Sequence, residues 1–427
     1  MNDVPTRRDI LALSAAAPAL QAAPRTPELQ KLIDAAAAHG GGTVLIPPGR
    51  HVTGTLMMRS NVRLWLEPGA VIEGSRNLAD YKVLAGPVRG YTDNYTDKSL
   101  IHAEDAVNVS IEGRGTIDGQ GAAFKGPYKV RPYMIRMIRC RDVSISGVTI
   151  KDSPMWVQHY LCCDGVAIRG ITVRSYVNQN NDGIDIDSSS RVRISDCDIS
   201  SGDDAIVLKS TTMEPCRDVT VTNSTLSSHC NAFKLGTETN GGFEEIVLSN
   251  CTIYDTRLAG IALEIVDGGT MDGVAISNVS MRNVVAPVFL RLGDRARPTV
   301  DGGPEQPVGR LRNVTISGVR ARGAGMIGCA IAGLPGHRIE NVSLNDLRLE
   351  FAGGGTAEDA SRVPEESADR YPEFKMFGTL PAYGIYGRHI RGLRLRDIEL
   401  VTAQLDARPP ITLSDVEGLT TDNAPVR

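Results

Sequence analysis

A chain of 427 residues with 41% hydrophobic and 22% charged side chains has the composition of a folded soluble protein, and 44 glycines against 5% aromatics point to many turns and an all-β architecture. The 50 acidic and 46 basic side chains leave a formal net charge of -4 with no long run of either sign. That excludes nucleic acid or an anionic membrane as the expected partner, so recognition of an acidic ligand has to be local.

Along the chain, Thr6-Arg7-Arg8-Asp9-Ile10-Leu11 leads into an Ala-rich apolar stretch ending near Ala23, which reads as a twin-arginine export signal over residues 1–23. The expected location is periplasmic or secreted. No later segment approaches the roughly 20 apolar residues of a membrane span. Thr26-Pro27-Glu28 then opens a helix with Leu29, Leu32, Ile33 and Ala36 on one face, ended by Gly40-Gly41-Gly42. A lone amphipathic helix has to cover something, and this one is expected to cap the first strands of the domain. Those short strands fall at 43–46, 62–66 and 71–72, separated by Pro and Gly turns.

From residue 107 a repeat appears, apolar-x-apolar-x-(Asn/Asp/Gly)-x-x-apolar, starting at Val143, Val166, Val192, Val219, Ile246, Val274, Val314, Val342 and Leu393. Subtracting successive starts gives spacings of 23, 26, 27, 27, 28, 40, 28 and 51. Periods of roughly 20–50 residues mark a solenoid, and a unit this short with one apolar-alternating strand predicts a right-handed parallel β-helix of about ten coils. Neither the four strands per repeat of a propeller nor a leucine-rich register is present. The two long spacings predict excursions near 294–310 and 350–388 from a single domain spanning 24–427, and such loops are expected to wall a cleft. Among the eight cysteines, Cys197 and Cys251 hold one position of two repeats, which favours stacked buried thiols over bridges. No zinc-type spacing is present.

Two segments carry chemistry: Asn180-Asn181-Asp182-Gly183 and Gly202-Asp203-Asp204. Asp203 and Asp204 come 21 and 22 residues after Asp182, about one coil. Coils stack about 4.8 Å apart, so these carboxylates become neighbours on one face. Like charges held that close push one pKa up, giving a protonated acid beside an ionised base, the pair that glycosidic hydrolysis uses. A lone Asp-Gly is usually a turn, and clustered aspartates also suit Ca²⁺ in a polysaccharide lyase. A non-catalytic glycan-binding β-helix is the third alternative.

From about residue 27 to 400 the chain resembles glycoside hydrolase family 28, the polygalacturonases and their relatives. The resemblance rests on Asn180-Asn181-Asp182, Gly202-Asp203-Asp204, Gly41-Gly42-Thr43-Val44-Leu45-Ile46-Pro47-Pro48-Gly49 and Ser153-Pro154-Met155-Trp156. It implies inverting hydrolysis of a pectic polysaccharide or oligosaccharide, with Asp203 as general acid and Asp182 and Asp204 holding the attacking water. No metal or cofactor is implied, and a monomer is expected. Two later family motifs depart. Asn231 stands where the family has a histidine, with His229 two residues earlier, and Gly260-Ile261-Ala262-Leu263-Glu264 replaces an Arg-Ile-Lys segment. Galacturonate, rhamnose-containing and mixed substrates therefore stay open. Alternation against Phe233, Leu235, Ile206 and Leu208 sends Lys234 and Lys209 outward, where they can restore positive charge or simply be solvated. Asn180, His229, Asn231, Lys209, Lys234 and Glu264 are accordingly the candidate substrate-binding residues, although Glu264 is more readily explained by an ion pair with Arg291. The aromatics from Tyr371 to Tyr383 either close one end of the cleft, favouring attack at a chain end, or form a small core under their loop.

Overall fold

A computed structural model describes residues 26–84, 95–300 and 302–426. The export-signal reading of residues 1–23 lies outside them. Among the described residues no helix is long and apolar enough to cross a membrane. The fold is the expected right-handed parallel β-helix, entered through the helix Thr26–Ala38. That helix buries Leu29 and Ile33 completely against the first coil, while Leu32 stays exposed.

Every repeat pairs in parallel with the next, so one inward position can be traced up the stack. It runs Val44, Leu64, Ile111, Ile145, Ile168, Ile194, Val221, Leu248, Ile276, Ile316, Leu344 and Leu395. The aliphatic ladder therefore begins well before the repeat becomes regular in sequence. Its side chains form one continuous core with almost no solvent access. Dispersion and apolar burial between like residues on adjacent coils hold the solenoid together, without a second layer.

The polar member of the repeat has a backbone reason. Gly147, Gly170, Asp196, Asn223, Asn250, Asn278, Gly318, Asp346 and Asp397 all lie at φ between 51° and 73°, in the left-handed region at a corner of each coil. Gly, Asn and Asp are the residues that take this conformation most cheaply. Asn side chains also ladder between coils, as in Asn278 Nδ2 to Asn250 Oδ1 at 2.7 Å. A second left-handed corner precedes each repeat and includes Arg191 and Glu245, which no turn preference would have marked.

The long spacings are excursions. The strands Thr270–Leu292 and Arg310–Ala324 pair directly, as do Ile339–Phe351 and Ile385–Thr402. All eight cysteines are free thiols, six of them buried. Cys197 and Cys251 do not touch directly, because Ser224 lies on the coil between them.

Candidate active site

One sheet of the solenoid supplies a floor. Its outward row runs His159, Asp185, Val207, Lys234, Ala262, Phe289, Ala330 and Tyr386, each in register with the next. A second row includes Asp187 beside Lys209, and Glu264 beside Arg291. The alternation that buries Ile206, Leu208, Phe233 and Leu235 thus presents both lysines to the cleft, as expected.

Asp182 and the pair Asp203-Asp204 occupy the loops entering consecutive floor strands, Ile184–Asp187 and Ile206–Ser210. The Gly183 N–H donates to the Asp204 carbonyl at 2.9 Å, which places the two loops one coil apart. All three carboxylates line a cavity of about 260 Å³ together with Asn180, Lys209, Lys234, Glu238 and the rings of Tyr95, Tyr128, Trp156 and Tyr371.

The three acids differ in how readily they ionise. Burial, reinforced by Asp203 and Asp185, pushes Asp182 well above the usual carboxylate range. Burial and then Asp204 likewise raise Asp203. Burial also opposes ionisation of Asp204, but Lys234, then Lys209 and Asn231, outweigh it and hold this carboxyl below its ordinary value. Lys234 Nζ lies 3.1 Å from Asp204 Oδ2. Asn231 gives Asp204 Oδ1 two hydrogen bonds, from its backbone N–H at 3.0 Å and from Nδ2 at 2.8 Å. A protonated acid beside an ionised carboxylate is the arrangement acid–base chemistry requires, with the proton shared among a coupled set.

Lys209 sits between Glu238 at 3.3 Å and Asp185 at 3.8 Å, over the Trp156 ring at 4.7 Å. Lys234 also donates to the Tyr371 hydroxyl at 3.3 Å. Burial alone would discharge both lysines, but neighbouring carboxylates reverse this and keep them protonated. Neither is a solvated strand lysine.

The other candidates separate. Asn180 lines the cavity and accepts from Arg131 Nη2 at 3.0 Å. Asn231 is buried behind Asp204, and its Oδ1 accepts from the Ala259 N–H at 3.0 Å, so it orients a carboxylate. His229 lines a neighbouring cavity and packs on Tyr176. Glu264 is not ion-paired with Arg291. Although the two are in register, the Arg291 guanidinium turns to the carbonyls of Gly333, Glu366 and Ser367 at 2.8–3.2 Å, where it anchors the long excursion. Glu264 Oε2 is buried without a hydrogen-bond partner, and burial, partly offset by Lys234, raises its pKa to about 8.

Sequence reasoning missed Arg295 and Arg297, which the first excursion brings into the cavity wall. Arg295 Nε donates to Asp267 at 2.8 Å and Arg297 Nη2 to Glu238 at 2.8 Å. The Arg-Ala-Arg pattern in a charged loop was the available signal. The aromatic excursion forms the small core under its loop and sends one ring to the cavity. Phe374, Phe377 and Leu380 make a small core on Ala262, Phe289, Ala330 and Tyr386, covering the floor beyond the coils that carry Asp182, Asp203 and Asp204, while Tyr371 reaches the cavity. Asp203, Asp204 and Cys230 have potential ligand atoms within 4.8 Å of one another. Within that group Asp204 already faces the Lys234 ammonium at 3.1 Å.

A parallel β-helix here gathers carboxylates, cations and aromatic rings in one cleft. The chain belongs to the glycosyl hydrolases family 28, whose family model matches residues 48–368. A probable polygalacturonase of Vitis vinifera is 30% identical over 272 residues, 58% of this chain and 55% of that protein. The chain thus spans about half the length of the curated relatives it matches in this way. Its fold is similar to that of a family 28 exopolygalacturonase of Yersinia enterocolitica, with a TM-score of 0.76, 19% identity and coverage of 94% of this chain and 76% of that one. It is also similar to an exopolygalacturonase of Thermotoga maritima, with a TM-score of 0.67, 23% identity and coverage of 77% and 84%.

Proposed function

We propose that this chain hydrolyses a glycosidic bond of a galacturonate-containing saccharide with inversion, removing one sugar from a chain end. The observation that carries this reading is the cavity in which a raised and a lowered carboxylate, Asp203 and Asp204, face Lys209, Lys234, Arg295 and Arg297. Asp203 gives its proton to the leaving oxygen as the anomeric C–O bond breaks. Water attacks the opposite face, and Asp204 takes its proton. Because Asp182 is raised too, it is assigned to positioning that water, and Asp204 is the base. With the Arg-Ile-Lys segment lost, these four cations balance acids at the cavity wall, each facing a carboxylate.

Two features support action at a chain end. The cavity of about 260 Å³ is smaller than the roughly 300–1,000 Å³ of pockets holding drug-sized ligands, so it suits one ring. The excursion bearing Phe374 and Phe377 also covers the floor beyond it. Export through the twin-arginine signal of residues 1–23 belongs to the same proposal, since such a polymer lies outside the cell.

The test is incubation with galacturonate oligomers, following product size by chromatography and the anomer first formed by NMR. The expected result is monosaccharide of inverted configuration, with no unsaturated product and no loss on adding EDTA. Asp203→Asn should lower turnover by about 10²–10⁴-fold with an unchanged circular dichroism spectrum. Unsaturated product, or near-normal activity of this variant, would overturn the reading.

A further inference from the structure

Asp203 stands between two cavities, and the second has no role in the chemistry above. It measures about 560 Å³ and adjoins the first at single peptide links, Gln179 to Asn180 and Gly202 to Asp203. Its wall carries two cations whose hydrogen bonds go only to neutral oxygens, with the Arg131 guanidinium also over the Tyr128 ring at 5.1 Å. Lys125 Nζ donates to the Val177 carbonyl at 2.5 Å and to Asn178 Oδ1 at 2.9 Å. Arg131 donates to the Gln179 carbonyl at 2.6 Å and to Asn180 Oδ1 at 3.0 Å, and its buried Nε has no partner. Among the described residues neither forms a salt bridge with a carboxylate, so dipoles fix both in place and leave their charge uncancelled.

This sets them apart from the cations of the first cavity, where Lys209, Lys234, Arg295 and Arg297 each face a carboxylate. The same wall includes an aromatic platform. Tyr176 is 42% exposed and packs against His229 with ring centroids 4.7 Å apart. An exposed aromatic face beside unneutralised cations suits a sugar ring that carries a carboxylate.

Resting on the hydrolase reading, we propose that this second cavity binds the leaving-group side of the substrate: the anionic sugar next to the scissile bond sits on Tyr176 and His229, with its carboxylate toward Lys125 and Arg131. The terminal ring then fills the smaller cavity, and the bond to be broken lies at Asp203, between the two. The loss of the Arg-Ile-Lys segment from the floor is consistent with this, because recognition of the second sugar has moved to a side wall built from other coils.

The test compares two substrates that differ in the leaving group: digalacturonate, whose leaving sugar is anionic, and p-nitrophenyl galacturonide, whose leaving group carries no carboxylate. Lys125 is exposed, so Lys125→Glu should fold normally. The variant is expected to lower kcat/KM for digalacturonate about 10-fold or more relative to the aryl substrate, with Lys125→Ala between it and the unmodified chain. Added salt should narrow the preference of the unmodified chain for digalacturonate. Equal losses on both substrates, or no loss on either, would overturn the assignment. If the unmodified chain turns over neither substrate, the hydrolase reading itself fails and this site falls with it.

Discussion

Replacing Lys234 by methionine removes the cation that keeps Asp204 ionised. The contact is 3.1 Å between side chains that are 5% and 4% exposed, so water cannot take the place of the lost ammonium. Removing one partner of a buried pair costs about 3–5 kcal/mol. Asp204 keeps two hydrogen bonds from Asn231 and the more distant charge of Lys209, which places the expected loss near the lower figure, about 3 kcal/mol at neutral pH. The sign with pH is set by linkage. With Lys234 present, the folded pKa of Asp204 lies below its unfolded value, so the pair contributes stability above the ordinary carboxylate pKa that is lost as pH falls through the folded one. Without Lys234, burial is opposed only by Lys209 and Asn231, so the pKa of the carboxyl rises. The variant should therefore be most destabilised near neutrality and recover toward the unmodified chain on acidification. On the proposed mechanism the acid limb of its kcat/KM profile should move to higher pH, because Asp204 acting as base has to be ionised. Denaturant melts at about pH 4 and pH 7, with a pH–rate profile on an oligogalacturonate, read both effects. An acid limb that stays in place, or equal destabilisation at both pH values, would refute the assignment of Lys234 as the group that sets Asp204.

The same cleft yields two further expected outcomes. Glu264 is 1% exposed, and its pKa is raised from 4.5 to about 8, so it favours folding fully below pH 4.5 and loses that contribution as pH rises through about 8. At about 1.36 kcal/mol per pH unit the penalty is on the order of 5 kcal/mol, so Glu264→Gln should flatten stability across this window, measured by chemical denaturation. An unchanged slope would mean that Glu264 ionises freely. Asn231→Ala strands the buried Ala259 N–H and strips the side-chain donor from Asp204, which should cost about 1–3 kcal/mol and shift the acid limb upward. Loss of stability without a shift in the profile would show Asn231 to be purely structural.

The sequence was most legible where one residue type serves one local need. The Val and Ile positions of each repeat face inward because strand alternation leaves them no other choice, and the Asn, Asp or Gly after them is the left-handed corner. Asp182, Asp203 and Asp204 were readable for the same reason, since a spacing of one coil converts directly into proximity. Where several coils and an excursion meet, the local signal failed. Arg295 and Arg297 belong to an irregular loop whose destination no periodicity encodes. The register placing Glu264 beside Arg291 suggested an ion pair, yet the guanidinium found the excursion's carbonyls instead.

By its own pattern, then, the sequence determined the solenoid, the face that carries the acids and the outward direction of Lys209 and Lys234, because each depends on chain spacings of two or of about 25 residues. Only the tertiary structure decided which carboxylates burial pushes toward the protonated form, which cations face a carboxylate and which do not, and that the floor is covered around Phe289. Those properties depend on burial and on distances across coils far apart in the chain, and charge at close range in a dry cleft responds to geometry that no local pattern carries.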